Sequence, residues 1–232
     1  MQPVVEYEQL LPYQFAERIK AYPLVYVPVG SLEWHGEHMA LGNDAIKMHA
    51  LCCEAARLGG GIVFPPVYYG IPFLVDYGRA YAHDANLPMT ADFLRNHLGA
   101  TLHGLEAVGF QAAILATGHT CREQRDLMRE IARDYSGAMS VYGTDDMEWA
   151  DDLDFTSDHA AKWETSILWT LRPELVDVYR LPRDPGVPLE GVLGEDPRLY
   201  ASRELGRVAV AAIARDLSAL GARLLSREGE DA

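Results

Sequence analysis

Acidic and imidazole side chains are concentrated just after an apolar run near the start of the chain. This run, residues 23–29, has the length and β-branched content of a buried strand, and Glu33, His35 and Asp44 follow it. Glu33 and His35 are two residues apart, so on extended backbone their side chains project from the same side. Asp44 lies where the next helix is expected to begin, with Asn43 or Asp44 itself as the N-cap. Converging carboxylate and imidazole groups suit zinc, manganese or iron.

A second metal ion is compatible with this stretch, because one carboxylate such as Asp44 can bridge two ions about 3.5–4 Å apart, as in two-metal hydrolases. The same Glu-x-His pattern is also typical of a solvated polar loop, and alone it favours that interpretation. Two later motifs favour a metal site over a solvated loop. His119 ends another apolar run, residues 111–116, which places it at the same sheet edge as Glu33, and Glu164 follows His159 near the start of a helix.

The elements that must position these residues alternate between strands and helices. Apolar runs predict strands at 23–29, 62–64, 111–116 and 139–142, and helical periodicity predicts helices at 8–21, 44–58, 91–107, 122–134, 160–171 and 200–221. This alternation indicates an α/β fold with a mainly parallel sheet and helices on both sides. The long aromatic stretch 70–89, which includes His83 and Asp84, is expected to form a pocket wall or a subunit contact.

Composition limits the class of protein. The 232 residues suit one domain, 1–232, and 49% hydrophobic with 23% charged residues is ordinary for a soluble globular chain. A net charge of −14 argues against nucleic acid or an anionic membrane as partner. No apolar stretch reaches the ~18 residues of a membrane span, and no signal peptide is visible. The three cysteines, Cys52, Cys53 and Cys121, do not suggest a disulfide framework, so we expect a cytoplasmic protein.

Three motifs together resemble the creatininase (creatinine amidohydrolase-like) family. The first is PVGSLEWHGEHMALGND at 28–44, which is highly specific; the second is TGHTCR at 117–122, which keeps only the Gly-His core. The third is HAAKWETS at 159–166, followed by PELV at 173–176. Further echoes, among them Gly191 to Pro197, extend the resemblance over nearly the whole chain.

The resemblance implies a three-layer α/β/α fold, two divalent metal ions (zinc, manganese or iron) and often a hexameric homo-oligomer. Carried over by position, the metal ligands are Glu33, Asp44 and His119 for one ion, and His35, Asp44 and Glu164 for the other. His159 is the implied acid/base group, and with Glu164 it makes up the expected catalytic pair. Family members hydrolyse cyclic or formyl amides, trim a peptide cofactor precursor, or open a keto-inositol ring.

The chain departs from the family pattern at several positions. Trp34 replaces a glutamine, and Cys121 stands where creatininase has a glutamate ligand two residues after the strand-end histidine. Glu164 is therefore the expected ligand of the second ion. Cys121 could add a thiolate ligand, but a buried or merely nearby thiol is the favoured interpretation. His38 is either a supporting group for a ligand or a structural residue. These departures indicate a small-molecule substrate other than creatinine.

The expected reaction is hydrolysis of a small cyclic or N-acyl amide by water that two metal ions activate. His159 gives a proton to the leaving atom, which suits imidazole because its pKa is near neutral. Asp158 either orients His159 or caps the following helix. Two alternatives stay open: a metal-dependent hydrolase of a carbon–carbon bond in a keto-inositol or keto-sugar, and a non-catalytic metal-binding relative.

Overall fold

A computed structural model describes residues 3–73, 87–149, 153 and 157–227 of the chain. Its strands are β1 (Leu24–Val29), β2 (Ile62–Val63), β3 (Ala112–Thr117) and β4 (Ser140–Asp145). Its α-helices are α1 (Pro12–Ala21), α2 (Asn43–Gly59), α3 (Ala91–Ala107), α4 (Arg122–Arg133), α5 (Lys162–Leu171), α6 (Pro197–Tyr200) and α7 (Arg203–Arg227). Short 3-10 turns lie at Tyr7–Gln9, Pro173–Leu175 and Val178–Arg180.

The four strands form one parallel sheet in the order β2-β1-β3-β4. In its register Val29 of β1 is opposite Thr117 of β3, and Thr117 is opposite Asp145 of β4. These three strands therefore end on one line. The residues that follow them, beginning with Gly30, Gly118 and Asp146, lie at a single edge of the sheet, where ligands bind in open α/β sheets.

Helices cover both faces of the sheet, as the alternation of elements predicts. Leu24 and Tyr26 of β1 belong to a buried cluster with α2, α5 and α7, whereas Val25 and Val27 belong to a second cluster with α3 and α4. Alternate residues of one strand thus enter opposite cores because strand side chains have a period of two. The predicted α/β fold with helices on both sides of a parallel sheet is confirmed.

Several element ends differ from the sequence prediction. Helix α1 begins at Pro12 rather than residue 8, because proline lacks the N–H that a helix interior needs and is favoured in the first turn. Strand β4 runs to Asp145, beyond the apolar residues that predicted it. Helix α5 begins at Lys162, after His159, and α7 extends to Arg227.

The expected cap of α2 is wrong. Gly42 is the N-cap residue, and no side-chain cap hydrogen bond is present. Asn43 and Asp44 are already helical, and their side chains turn towards the sheet edge, where Asn43 Nδ2 donates to Asp44 Oδ1 (3.2 Å). Polar residues at a helix start therefore serve the site here and not the helix end.

Only the ends of the stretch 70–89 are described, with Gly70 bridged to Pro88. His83 and Asp84, together with the expected pocket wall that surrounds them, lie outside the described residues. Within the described ranges, no helix combines the length and the apolar character that a membrane crossing requires.

Candidate metal centre

Two glycines let the start of α2 approach the ends of β1 and β3. A Cβ at Gly30 would lie 2.1 Å from the backbone N of Ala45, and one at Gly118 would lie 2.3 Å from the backbone O of Asp44. Any side chain at these positions would push α2 away. The close contact places the carboxylate of Asp44 between the residues that follow the two strands.

The first predicted ligand set converges around His119. Its Nδ1 lies 3.0 Å from Glu33 Oε2 and 3.0 Å from Asp44 Oδ2. Its other ring nitrogen, Nε2, is 2.8 Å from the carbonyl oxygen of Ile71. A carbonyl can only accept, so Nε2–H is the donor and the Nδ1 lone pair faces the two carboxylates in the neutral imidazole.

The second predicted set converges around His35 in the same way. His35 Nδ1–H donates to the carbonyl oxygen of Glu33 (3.0 Å), which leaves Nε2 facing the carboxylates. Nε2 lies 2.9 Å from Asp44 Oδ1 and 3.6 Å from Glu164 Oε2. Asp44 thus presents one oxygen to each histidine, which is the arrangement that a bridging carboxylate requires.

The donor set fits divalent cations. A lone pair directed at a carboxylate oxygen 2.9–3.0 Å away is repulsive unless a proton or a cation lies between them. With the histidines in these tautomers, both side-chain oxygens of Glu33 and Oδ2 of Asp44 accept no hydrogen bond from the described residues, although they are buried. A second ring nitrogen that donates to a backbone carbonyl is also the usual pattern of metal-binding histidines.

The close approach of histidines and carboxylates also shifts the pKa values of both groups. Burial alone would lower the pKa of His35, but the carboxylates of Asp44 and Glu164 raise it to about 9. Burial likewise opposes the charged form of His119, and hydrogen bonding to Asp44 raises that pKa well above its usual value. The pKa of Asp44, which burial would raise, is held well below its usual range by His35 and His119. The pocket therefore attracts positive charge at both histidines.

His159 lies beside the second set but precedes α5 and is not part of it. Its Nε2 is 2.9 Å from the carbonyl oxygen of Trp34, and its ring stacks on His35 with centroids 4.3 Å apart. Burial, and then the neighbouring His35, lower the pKa of His159. Glu33, His35 and His159 also form a third group with metal-binding geometry, so His159 can reach either an ion or a substrate.

Asp158 caps α5. Its carboxylate accepts from the backbone N–H groups of Trp163 (2.6 Å) and Glu164 (3.2 Å), and no contact with the His159 ring is needed to explain it. Ala160 takes the left-handed conformation, with φ at 51°, and its N–H donates to Glu164 Oε2 (2.8 Å). This turn brings His159 and Glu164 together without a shared helix.

Sequence reasoning missed Lys47 and Asp146. Lys47 is 1% exposed, and its Nζ lies 2.7 Å from both Asp146 Oδ2 and Glu164 Oε1. The two carboxylates raise the pKa of Lys47 against burial, and burial raises the pKa of Asp146 to about 6 despite Lys47. Their positions in the sequence were the available signal. Lys47 follows Asp44 by one helical turn, and Asp146 comes directly after β4, as Gly118 comes directly after β3.

Cys121 and His38 lie outside the ligand groups found among the described residues. Cys121 is buried beside the pocket, with Sγ 4.0 Å from the carbonyl oxygen of Ile71. His38 shares a 2.9 Å hydrogen bond with the Thr165 hydroxyl, and burial lowers its pKa to about 4. The geometry favours a structural role for His38 over a supporting role at a ligand.

A cavity of about 180 Å³ opens onto Asp44, His119 and Glu164. Phe73 and Leu193 supply apolar wall, and the hydroxyls of Thr120 and Ser157 stand 3.4 Å apart at its side. None of its described lining residues is a lysine or an arginine.

Several known proteins are similar to this chain in sequence or in fold. The family model for creatininase (creatinine amidohydrolase) matches residues 8–221. The creatinine amidohydrolase of Pseudomonas putida is 25% identical over 186 residues, which are 70% of this chain and 69% of that protein. The 3-dehydro-scyllo-inosose hydrolase of Thermotoga maritima is 27% identical over 118 residues, half of this chain but only 36% of the relative's length.

Among solved structures, a putative creatinine amidohydrolase from Bacteroides fragilis superposes with a TM-score of 0.79 at 21% identity, covering 97% of each chain. Creatininase structures with a TM-score of 0.73 include a manganese form and a Zn–Zn form. The family model and the two relatives support the expected enzyme class, a metal-dependent hydrolase. Because the family model covers most of its length, the chain belongs to the creatininase family.

Proposed function

We propose that the protein is a dinuclear, divalent-metal-dependent hydrolase that acts on a small cyclic or N-acyl amide other than creatinine. One observation carries the proposal: His35 and His119 each direct a lone pair at Asp44 while the other ring nitrogen is held by a backbone carbonyl. Glu33, Asp44 and His119 would hold one ion, and His35, Asp44 and Glu164 the other. Manganese and zinc suit this mixture of oxygen and nitrogen donors.

Charge compensation is compatible with two ions, and only two ions leave the group with a positive charge. Glu33, Asp44, Asp146 and Glu164 are buried together, and Lys47 is the one cation among the described side chains that pairs with them apart from the histidines. Uncompensated buried charge is costly. With neutral histidines, one dication leaves the group negative, whereas two dications leave a single positive charge. That residual charge would stabilise negative charge that develops on a substrate carbonyl.

Bound divalent ions supply a Lewis acid and lower the pKa of water towards ~7. The chain's own proton carrier is His159. Because the Trp34 carbonyl holds Nε2–H and the pKa of His159 is lowered, the imidazole starts neutral, with Nδ1 able to take a proton. Nδ1 of His159 takes a proton from the water that attacks the carbonyl and gives it to the leaving nitrogen, while the Trp34 carbonyl keeps the ring in place.

A second candidate function is hydrolysis of a carbon–carbon bond in a keto-inositol or keto-sugar. The relative from Thermotoga maritima that hydrolyses 3-dehydro-scyllo-inosose favours it, as do the paired hydroxyls of Thr120 and Ser157 beside the cavity. Hydroxyl groups suit a polyol ring, whereas the apolar walls Phe73 and Leu193 suit either substrate. The two functions share the same metal ligands and the same proton carrier.

Product analysis separates these functions. Holoenzyme loaded with manganese or zinc is offered a panel of cyclic amides, N-acyl amides and keto-inositols, and products are followed by mass spectrometry with a separate assay for ammonia and amines. Release of an amine or opening of an amide ring is the expected result. Ring opening of a keto-inositol without nitrogen release would replace the amide proposal. No turnover across the panel by metal-loaded protein would favour the non-catalytic relative.

Assembly and location are further parts of the proposal. We expect one domain over 1–232, a cytoplasmic location, and a homo-oligomer that is hexameric by family resemblance. Light scattering on the purified protein should give a mass about six times the 25.7 kDa of one chain. A mass equal to that of one chain would contradict the assembly without affecting the metal centre.

A further inference from the structure

Lys47 forms a buried ion-paired bridge between three elements. It belongs to α2, whereas Asp146 follows β4 and Glu164 lies in the first turn of α5. Both of its contacts are 2.7 Å long, and all three side chains are buried. The proposed reaction gives Lys47 no proton to move, because Asp146 and Glu164 separate its ammonium group from the histidines.

The bridge determines how Glu164 can bind an ion. Oε1 of Glu164 accepts from Lys47 Nζ (2.7 Å) and from Asn43 Nδ2 (3.1 Å), which uses both of its lone pairs. Oε2 accepts only the N–H of Ala160 among these donors and is the oxygen that lies 3.6 Å from His35 Nε2. One lone pair of one oxygen is therefore left for a metal.

We propose that Lys47, held in place by Asp146, is a positioning residue: it holds Oε1 of Glu164 so that Oε2 faces the second ion, and in this way it raises the affinity of that ion. This inference rests on the proposed dinuclear function. The first ligand group has no comparable support: both side-chain oxygens of Glu33 lack hydrogen-bond donors among the described residues. The two sites should therefore respond differently when Lys47 is changed.

The second site depends on this support because Cys121 lies outside the described ligand groups and supplies no carboxylate. His35, the shared Asp44 and a single oxygen of Glu164 are then its protein donors. Loss of the outer partner of a ligand typically weakens metal binding about 10–100-fold. We expect a loss of that size at the second site and little change at the first.

A purely structural ion pair would behave differently. Replacing both members of a buried pair by neutral groups of similar size is often neutral for stability, so a bridge that only joins α2 to β4 would leave metal binding unchanged. The double variant Lys47→Met/Asp146→Asn removes the bridge and keeps the net charge. Lys162→Met is the control. Lys162 is the first residue of α5, and its ion pair with Glu195 has the same length, 2.7 Å.

The experiment titrates metal-free protein with Zn²⁺ in competition with a chromophoric chelator and fits one or two sites per chain. Native protein and Lys162→Met should bind two ions. Lys47→Met/Asp146→Asn should keep the first affinity and lose about 10–100-fold at the second. Retention of the first site also reports that the variant is folded.

If the double variant binds both Zn²⁺ ions with the affinities of the native protein, the proposed role of Lys47 is wrong. A single ion in the native protein would instead overturn the dinuclear function, so the two failures are distinguishable. If the double variant binds neither ion, the single variant Asp146→Asn is measured instead. It removes the ion-pair partner that holds Lys47 in place, so the affinity for the second ion should again be lower than in the native protein. An unchanged second affinity in Asp146→Asn would then refute the proposal.

Discussion

At the scale of single residues, the arrangement around His159 separates proton transfer from metal binding. The Trp34 carbonyl holds one ring nitrogen, and the ring stacks on His35. Removing the imidazole should therefore leave both ligand groups intact while the proton carrier is lost. We expect His159→Ala to keep its metal content and to lose about 10²–10⁴-fold in kcat, the usual contribution of general acid–base catalysis.

His103→Ala is the matched control, because His103 is exposed on α3 and should affect neither quantity. Metal analysis and steady-state kinetics are run on the same preparations. Full turnover in metal-loaded His159→Ala would remove His159 from the reaction. Loss of an ion in that variant would instead assign His159 to the third ligand group.

At the scale of elements, the site depends on how closely α2 approaches the ends of β1 and β3. A Cβ at Gly118 would lie 2.3 Å from the backbone O of Asp44, so Gly118→Ala must displace the start of α2. Because Asp44 belongs to both ligand groups, we expect Gly118→Ala to weaken binding of both ions by at least about 10-fold, measured by chelator competition.

Gly99→Ala is the control for this prediction. A Cβ at Gly99 meets nothing within 4 Å, and alanine is favoured over glycine in a helix interior, here α3, by about 0.5–1 kcal/mol. Denaturant unfolding should show this gain with unchanged metal binding. Native metal affinities in Gly118→Ala would contradict the idea that the approach of α2 positions Asp44.

The elements show which features the sequence could predict. Strands β1 and β3 were readable because each is a continuous apolar run buried on both faces. The end of β4 was not, since Thr144 and Asp145 are polar yet buried. The sequence predicts too early a start for α5, because no hydrophobic pattern encodes the left-handed turn at Ala160, a residue that normally favours helix.

The same contrast holds for the site. Glu33, His35 and His119 were predictable because they follow apolar strands whose ends meet at one sheet edge. Lys47 was not, since a lysine on a helix is usually solvated and only the tertiary contacts with Asp146 and Glu164 bury it. A residue that only supports a metal-binding side chain is therefore harder to predict from the sequence than the metal-binding side chain itself.

At the scale of the whole molecule, the buried carboxylates link metal binding to stability. Each ion that binds only the folded chain stabilises it by about 2.7 kcal/mol at 100 times its Kd, so two ions stabilise it by about 5.4 kcal/mol. For a chain of this size, that should correspond to a Tm change of about 11–22 °C. We expect a chelator to lower the Tm of the native protein by this amount in differential scanning calorimetry.

A variant without the ligand carboxylates, Glu33→Gln/Glu164→Gln, provides the control, because its Tm should no longer respond to the chelator. Restoring Mn²⁺ or Zn²⁺ to the native protein should recover the original Tm. A native Tm that is indifferent to both chelator and metal would mean that the buried carboxylates are compensated without ions.

The most direct test of the dinuclear centre is the metal content per chain of protein purified without added metal, compared among the native chain, Glu33→Gln, Glu164→Gln and the exposed control Glu37→Gln. The account predicts two divalent ions per chain in the native protein and in Glu37→Gln, with a lower content in each of the other variants. One ion or none in the native protein, or a content that Glu164→Gln leaves unchanged, would contradict it.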